Sequence, residues 1–395
     1  MLQRSDNTRR PVIGVIVNNV GGYSRGVVRG VTSYAFARTW TCRVQGVNDT
    51  DLTQHLRDFD GFIVQTASSE QLKLLASTRK PVVNVSSALP MTRFTSVVSD
   101  DSAVGRLGAE YFLRRGYRRF AFHGPDDRAY VKLRQQGFAA RLSESGETCT
   151  TTNDVNQLLS LLSQQQPIAV MGSNDRAAVV VLDVCRTAGI KVPDAVAVLG
   201  VDNDDLVQSL AYPPLSTINT ARERIGFEAA RALEQLMRHE TTFAMTPKTT
   251  PKTTSKTTQN TPLLIAPTGV ITRRSTDLFA VDDVGVVDAL RFIHAHAGRT
   301  ITINDVLREV PFSRRQLERR FRESLGRSIL DEITRCRMDR AKQLLTDTEL
   351  TLPQIALASG FASVSYFAVV FKRQAGITPG AYRTQFTSHA MSSEQ

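Results

Sequence analysis

Short, unbroken apolar runs recur through the first two thirds of the chain: Val12–Val17, Phe62–Gln65, Val82–Ser86, Phe120–His123, Ile168–Gly172 and Val196–Val201. Runs of this length without polar alternation predict strands buried on both faces. Between them, Ser102–Arg114, Arg176–Ala188 and Arg222–Met237 carry apolar residues at helical spacing. Strands separated by crossover helices predict an α/β fold of parallel sheets covered on both faces. In such sheets ligands bind beyond the carboxyl ends of the strands, so the residues just after each strand are the candidates for chemistry.

The segment 247–258 interrupts this pattern with a four-residue Pro-Lys-Thr-Thr repeat that contains no apolar residue. It has nothing to bury against its ordering entropy and is expected to form a disordered insertion, spanning 245–261. Leu263–Ile271 then reads as a further strand, which places the insertion inside the first domain (1–276). A linker is expected at 277–283. Beyond it the chain reads as helices only: Val284–Ala297, Ile303–Val310, Arg314–Leu325, Ile329–Leu345, Pro353–Ser359, Val364–Ala375 and Pro379–Phe386. This second, all-α domain is expected over 284–387, followed by a disordered tail, 388–395.

Composition narrows the class. The 395 residues include 41% hydrophobic and 22% charged, the balance of an ordinary globular protein. No apolar run approaches the length of about 18 residues that a membrane span needs. The first ten residues are polar and lack the pattern of a secretory signal, so no membrane partner and a cytoplasmic location are expected. The four cysteines (Cys42, Cys149, Cys185, Cys336) are scattered, with no CxxC pair. They predict reduced thiols rather than a zinc site or disulfide framework; no metal or other cofactor is expected. The 49 Lys and Arg against 38 Asp and Glu leave a formal charge of +11, which favours a polyanionic partner. Ser313–Leu345 alone holds ten Lys/Arg and five Asp/Glu. By itself this excess is equally compatible with a solvated basic face.

The local grammar around that stretch is more specific. A short helix with Val306 and Leu307 ends at Pro311-Phe312, and Ser313 with Gln316 forms a capping box for the next helix. In that helix Leu317 and Phe321 share the inner face, leaving Arg314, Arg315, Glu318, Arg319 and Arg322 on the outer one. Two short helices with a tight turn, the second presenting arginines, make a helix-turn-helix. The arrangement recurs at 353–376. There Gly360-Phe361 makes the turn, Phe367, Val370 and Phe371 face inward, and Ser365, Ala368, Val369, Lys372 and Arg373 face outward. The longer helix between them can hold two readers in successive major grooves of double-stranded DNA.

These residues resemble a known family. Gly360-Phe361, Ser365-Tyr366-Phe367, Phe371-Lys372, Gly376, Thr378-Pro379 and Tyr382-Arg383 match the signature of AraC-type transcription regulators. So do Ser313, Leu317, Phe321, Gly326, Arg337, Ala341 and Leu344-Leu345. The chain departs from the family pattern at Pro311, where Gly is common, and at Val369, where Arg is common. The second departure implies that Arg315, Glu318 and Arg319 of the first unit read base edges, whereas the second unit offers chiefly apolar and phosphate contacts.

The first domain is similar to the effector domains of LacI-type regulators. The likeness is carried by Val98–Gly108, Arg134-Gln135-Gln136-Gly137-Phe138, Ser173-Asn174-Asp175, Gly200-Val201-Asp202-Asn203 and Thr272–Thr276. It implies that Arg134, Asn174 and Asp202 contact a ligand. Their chemistry suits a sugar: Asp202 can accept two hydroxyls and the Arg134 fork can donate to two oxygens. Tyr23 and Arg25, after the first strand, and Asp175 complete the candidate ligand set. For Asn174 and Asp175 helix capping is the alternative role, and for Asp100 and Asp101 capping is the preferred one.

An effector domain of this type placed before an AraC-type reader implies a sugar-responsive regulator. Expected partners are an operator duplex, a small sugar (D-xylose or similar), a second copy of the chain in a homodimer, and RNA polymerase if it acts as an activator. Sugar would favour a closed two-lobed state that reorients the readers. A non-pentose ligand remains open. An enzyme acting on sugars is the competing class, yet no nucleophile–base–orienter set and no glycine-rich phosphate loop is present, and no catalytic residue is assigned.

Overall fold

The computed structural model describes residues 9–18, 21–46, 56–66, 68–89, 94–125, 127–238, 261–277, 279–281 and 283–386. The tail at 388–395 lies outside these residues, as does the insertion at 245–261 apart from Thr261. The chain divides into two compact units. One comprises 1–100, 127–130 and 221–266, and the other 101–126, 131–220 and 267–395.

The first unit is built on a six-stranded sheet. Its strands are β1 (Val12–Val17), β2 (Thr41–Gly46), β3 (Gly61–Val64), β4 (Val82–Asn84), β5 (Thr95–Ser99) and β11 (Leu263–Ile265). They lie in the order β11-β5-β4-β3-β1-β2, and every pair is parallel. Helices Gly22–Ala37 and Arg222–Met237 pack on one face, where Ile13, Val15, Val27, Val31, Ile225 and Leu233 are buried together. Ile16, Phe59, Phe62 and Leu75 form a separate core with the Ser69–Ser77 helix. Successive residues of β1 thus point into different cores, which is why the strand reads as a continuous apolar run.

The second unit repeats the design with β6 (Phe120–His123), β7 (Cys149–Thr152), β8 (Ile168–Gly172), β9 (Val196–Val201), β10 (Ser216–Asn219) and β12 (Gly269–Ile271). The order is β12-β10-β9-β8-β6-β7, parallel except for β12 against β10. Strand order reverses between β6 and β8, so the segments following them flank a topological switch point. Leu263–Ile271, expected as one strand, is two: the chain leaves β11 at Ala266-Pro267 and resumes as β12 in a different sheet. Pro267 offers no N–H to a ladder, so a strand cannot run unbroken through it. The apolar pattern did not announce β2, β5, β7 or β10. β7 (Cys-Thr-Thr-Thr) is an edge strand, and β10 buries the hydroxyls of Ser216 and Thr217 only because each has a hydrogen-bond partner.

The helical part of the second unit is organised by the Ile329–Asp347 helix. Its first turns place Ile329, Ile333 and Cys336 in a core with Val286, Leu290, Ile293, Val306, Leu317 and Phe321. Its later turns place Met338, Ala341 and Leu345 in another with Ile355, Phe361, Phe367, Phe371 and Tyr382. Two helical units therefore hang on one rod, each with its own apolar filling. Among the described residues no helix is long and apolar enough to cross a membrane.

On the same rod Glu332 is completely buried and accepts from His294 Nε2 at 3.0 Å, from Arg327 Nε at 2.6 Å and from Arg335. Burial alone would raise its pKa, but Arg335, His294 and Arg327 together hold it well below the usual carboxylate range. His294 and Cys336 complete a trio of potential metal ligands within 4.8 Å, yet the two arginines already saturate the carboxylate, and charge pairing accounts for the cluster. Removing one partner of a buried pair strands the others. Glu332→Ala is expected to destabilise the helical part by about 3–5 kcal/mol, read as a lowered urea midpoint of its unfolding transition.

Candidate ligand site and nucleic-acid interface

The carboxyl end of β9 runs into a backbone turn that L-residues rarely adopt. Asp202 has φ +96° and Asn203 φ +47°, where a glycine would be less strained. Such strain, of order 1–3 kcal/mol per residue, persists only when its surroundings over-determine it. Here they do. Asp202 N donates to Ile218 O at 2.9 Å, Asn203 N to Thr217 Oγ1 at 3.1 Å and Asp204 N to Asp175 Oδ2 at 2.7 Å. Thr217 Oγ1 in turn donates to Asp175 Oδ1 at 2.6 Å, and Arg273 Nη2 to Asn203 Oδ1 at 3.0 Å.

Above this turn Arg134 is buried, with 3% of its surface exposed. Its Nε donates to Asp101 Oδ1 at 2.8 Å, its Nη1 to Ser173 O at 2.6 Å and its Nη2 to Asp202 Oδ1 at 3.4 Å. Asp202 Oδ1 also accepts from Thr220 Oγ1 at 3.3 Å, and its side chain stays 17% exposed. Asn174 is the N-cap of the Asp175–Thr187 helix, its Oδ1 accepting from Ala177 N at 2.9 Å, which leaves the amide nitrogen side for other contacts. Arg134, Asn174 and Asp202, widely separated in sequence, are thus gathered at the ends of β8 and β9.

Asp175 sits elsewhere than expected. It is 2% exposed, and its two oxygens accept from Thr217, Asp204 N and Gln208. The carboxylate supports the Asp202 turn from beneath rather than facing a ligand. Asp101, expected as a cap, is the buried counter-ion of Arg134. Ser173, Thr217, Thr220 and Arg273 also contribute to this network. Thr217 and Thr220, small hydroxyl residues on and beside a strand, give no periodic signal, so the sequence did not single them out.

In the first unit Tyr23 and Arg25 lie in the opening turn of the Gly22–Ala37 helix and are half-buried. The Tyr23 hydroxyl donates to Val85 O at 2.7 Å. Gln65 Oε1, which drew no attention in the sequence, accepts from Ser24 Oγ at 2.7 Å and Asn18 N at 3.0 Å beside them.

In the helical part, Ser313 and Gln316 make the expected capping box, and Arg314, Arg315, Arg319 and Arg322 are exposed on the Arg314–Leu325 helix. Glu318 does not stand on the outer face as expected. It is half-buried, and its Oε2 is buried with no hydrogen-bond partner among the described residues. Position 318 follows Leu317 and precedes Phe321 by three, so it sits at the margin of the apolar stripe rather than opposite it. On the Val364–Ala375 helix Ser365, Lys372 and Arg373 are exposed, and Val369 is 65% exposed although apolar. Tyr366, three residues earlier on the same helix and 52% exposed, extends that face.

Comparison with known proteins defines the class. Residues 109–276 match a periplasmic binding protein-like domain, and residues 306–385 match a helix-turn-helix domain. A binding-protein-like fold joined to a pair of helix-turn-helix units makes this chain a DNA-binding transcription regulator. It is similar from end to end to the xylose operon regulatory proteins. The one from Escherichia coli (strain K12) is 27% identical over 95% of this chain and 97% of its own length. The one from Haemophilus influenzae is 26% identical over 94% and 97%. The solved structure of a xylose-binding transcription activator, xylR, superposes with a TM-score of 0.58 at 26% identity, covering 96% of this chain and 99% of that one. These relatives are regulators, not enzymes.

Burial pushes the Asp175 carboxyl up to about 7, the hydrogen bond from Thr217 opposing it and the negative charge of Asp202 adding to it. A carboxyl raised above its unfolded value binds more protons folded than unfolded, so its contribution to stability is full below about pH 4 and is lost as pH rises towards 7. Asp175→Asn removes that slope. The variant is expected to gain on the wild type between pH 4.5 and 7.5, by about 4 kcal/mol at most, in urea midpoints measured across the range.

Proposed function

We propose that this chain is a sugar-responsive regulator whose operator affinity is set by a pentose, D-xylose being the first candidate. The observation that carries the reading is the strained Asp202 turn, which presents a carboxylate steadied by a fully buried arginine. Asp202 Oδ1 is engaged by Arg134 and Thr220, so Oδ2 is the oxygen that suits vicinal hydroxyls of a sugar, with the Asn174 amide as a donor close by in the same set. Tyr23 and Arg25 of the first unit are retained as ligand residues in this reading. The full-length likeness to xylose operon regulatory proteins supports a pentose over other ligands.

On the DNA side, Arg314, Arg315, Arg319 and Arg322, with Ser313 at the helix start, form the first reader. Glu318, partly withdrawn, is available only to a base edge that comes close. In the second reader Ser365, Lys372 and Arg373 take phosphates, and Val369 meets a thymine methyl. The protein works as a cytoplasmic homodimer on two half-sites and, as an activator, contacts RNA polymerase. The domain limits 1–276 and 284–387 are retained in this reading, with 277–283 between them. By linkage, whatever change in DNA affinity the sugar causes, DNA causes equally in sugar affinity.

Calorimetric titration of the full chain with a sugar panel tests the ligand. Asp202→Ala is expected to abolish binding of D-xylose while leaving sugar-free DNA affinity nearly intact, since unpaired ligand hydroxyls cost about 1–3 kcal/mol each; unchanged affinity would refute the site. Selection of duplexes from a random pool tests the readers. Arg319→Ala is expected to lose about 1–3 kcal/mol and relax preference at one base pair, and Val369→Ala to lose less. Lys372→Ala should weaken all duplexes alike and flatten the salt dependence. Two equally informative boxes would contradict the unequal readers.

A further inference from the structure

The Asp101–Arg114 helix has a functional group at each end. At its start, Asp101 is the buried counter-ion of Arg134 in the candidate ligand site. At its end, the Arg114 carbonyl accepts from Arg327 Nη2 at 2.5 Å. Arg327 lies in the turn just before the rod of the DNA-reading part and also holds Glu332. Fourteen residues at 1.5 Å each make this helix about 21 Å long, the span between site and reader.

The next residue, Arg115, is 3% exposed, and its guanidinium lies between two rings, 4.4 Å from the centroid of Tyr111 and 5.0 Å from that of Phe279. Phe279 precedes the first reader and packs in its core, with its ring 4.9 Å from that of His294. The Arg115 carbonyl accepts from Ala280 N at 2.9 Å. Its Nη2 reaches Thr272 Oγ1 at 3.4 Å, but Nε and Nη1 are buried with no hydrogen-bond partner among the described residues. Gly116 continues the contact: at φ +85°, a Cβ there would meet Ala280 O at 2.7 Å and Val281 Cγ2 at 2.8 Å. The stretch expected as a free linker is thus clamped, in its described residues 279–281, onto the end of this helix.

The other end is just as tightly joined. A Cβ on Gly105 would lie 1.9 Å from Arg134 O, and one on Gly137 2.1 Å from Ser102 O, so this helix and the Ala129–Ser143 helix that carries Arg134 meet backbone to backbone. Arg134 and Asp101 are thus held on two closely packed backbones and joined by their own ion pair. Two buried guanidinium nitrogens without a hydrogen-bond partner among the described residues make the far end a costly contact, and one that a small shift can relieve.

We propose that this helix transmits ligand occupancy to the DNA reader and that Arg115 is the coupling residue, touching neither sugar nor DNA. The inference rests on the ligand-site assignment above. In it, a ligand that draws on the Arg134–Asp202 pair tilts the balance at Asp101, and the helix end re-seats Arg115 against Phe279 and thus the first reader.

The test uses the full chain, D-xylose and a duplex selected from a random pool by the wild-type protein. In the wild type D-xylose changes duplex affinity by about tenfold or more, within the usual range of coupling between sites. Arg115→Ala is expected to keep the Kd for D-xylose and the sugar-free Kd for duplex within about threefold of wild type, while the sugar effect on duplex affinity falls below about twofold. Arg115→Lys, which keeps the cation, retains part of that effect and guards against loss of fold. Arg115→Ala protein with the wild-type sugar effect overturns the proposal. If the wild type fails to bind D-xylose in calorimetry, the pentose reading is what fails. Coupling is then read without sugar, from amide exchange in Arg134→Ala. Faster exchange at Gly116 and Ala280 supports transmission along the helix, and unchanged exchange at both overturns it.

Discussion

Much of the second unit is arranged around the need to neutralise a buried guanidinium. Arg134 has lost its water, and an unpaired charge in that position would cost several kcal/mol. The fold answers with one acceptor from each of three segments: the Asp101 carboxylate at the start of a helix, the Ser173 carbonyl after β8 and the Asp202 carboxylate after β9. Two of these segments, after β8 and β9, are carboxyl ends of the kind at which an α/β sheet binds ligands. Neutralising the arginine therefore ties these three segments together.

The reason Asp202 can be so presented lies one layer deeper. Its left-handed backbone is held by a chain of hydrogen bonds from Asn203 N to Thr217, from Thr217 to Asp175, and from Asp204 N to the same carboxylate. A buried carboxyl that is hard to ionise is an awkward foundation, and it is tolerated because three donors converge on it. The strain at residues 202 and 203 and the buried acid at 175 are one structural feature seen from two sides.

In the DNA-reading part a single helix supplies both cores, so the two readers share a rigid frame while their recognition helices differ in surface. One presents exposed arginines and the other an apolar face around Val369. The DNA-reading part also meets the rest of the second unit at another buried charge cluster, where Glu332 collects Arg327 and Arg335 while Arg327 reaches the Arg114 carbonyl.

The sequence by itself determined the strands buried on both faces, the helical reader and its capping boxes, because these depend on local apolar spacing and on caps three residues apart. Val12–Val17, Phe120–His123, Arg314–Leu325 and Val364–Ala375 have the same limits in the structure as in the pattern. It also indicated Arg134, Asn174 and Asp202 as a set, through family likeness rather than through any periodicity. What only the tertiary structure decided is what each polar side chain meets. Asp101 looks like a helix cap in sequence and Asp175 like a ligand residue, yet one is the counter-ion of Arg134 and the other the support of a strained turn. Glu318 looks exposed and is half-buried, and the run Leu263–Ile271 serves two sheets rather than one. A buried charge is placed by partners tens of residues away, and no local pattern of hydrophobic and polar positions records who those partners are.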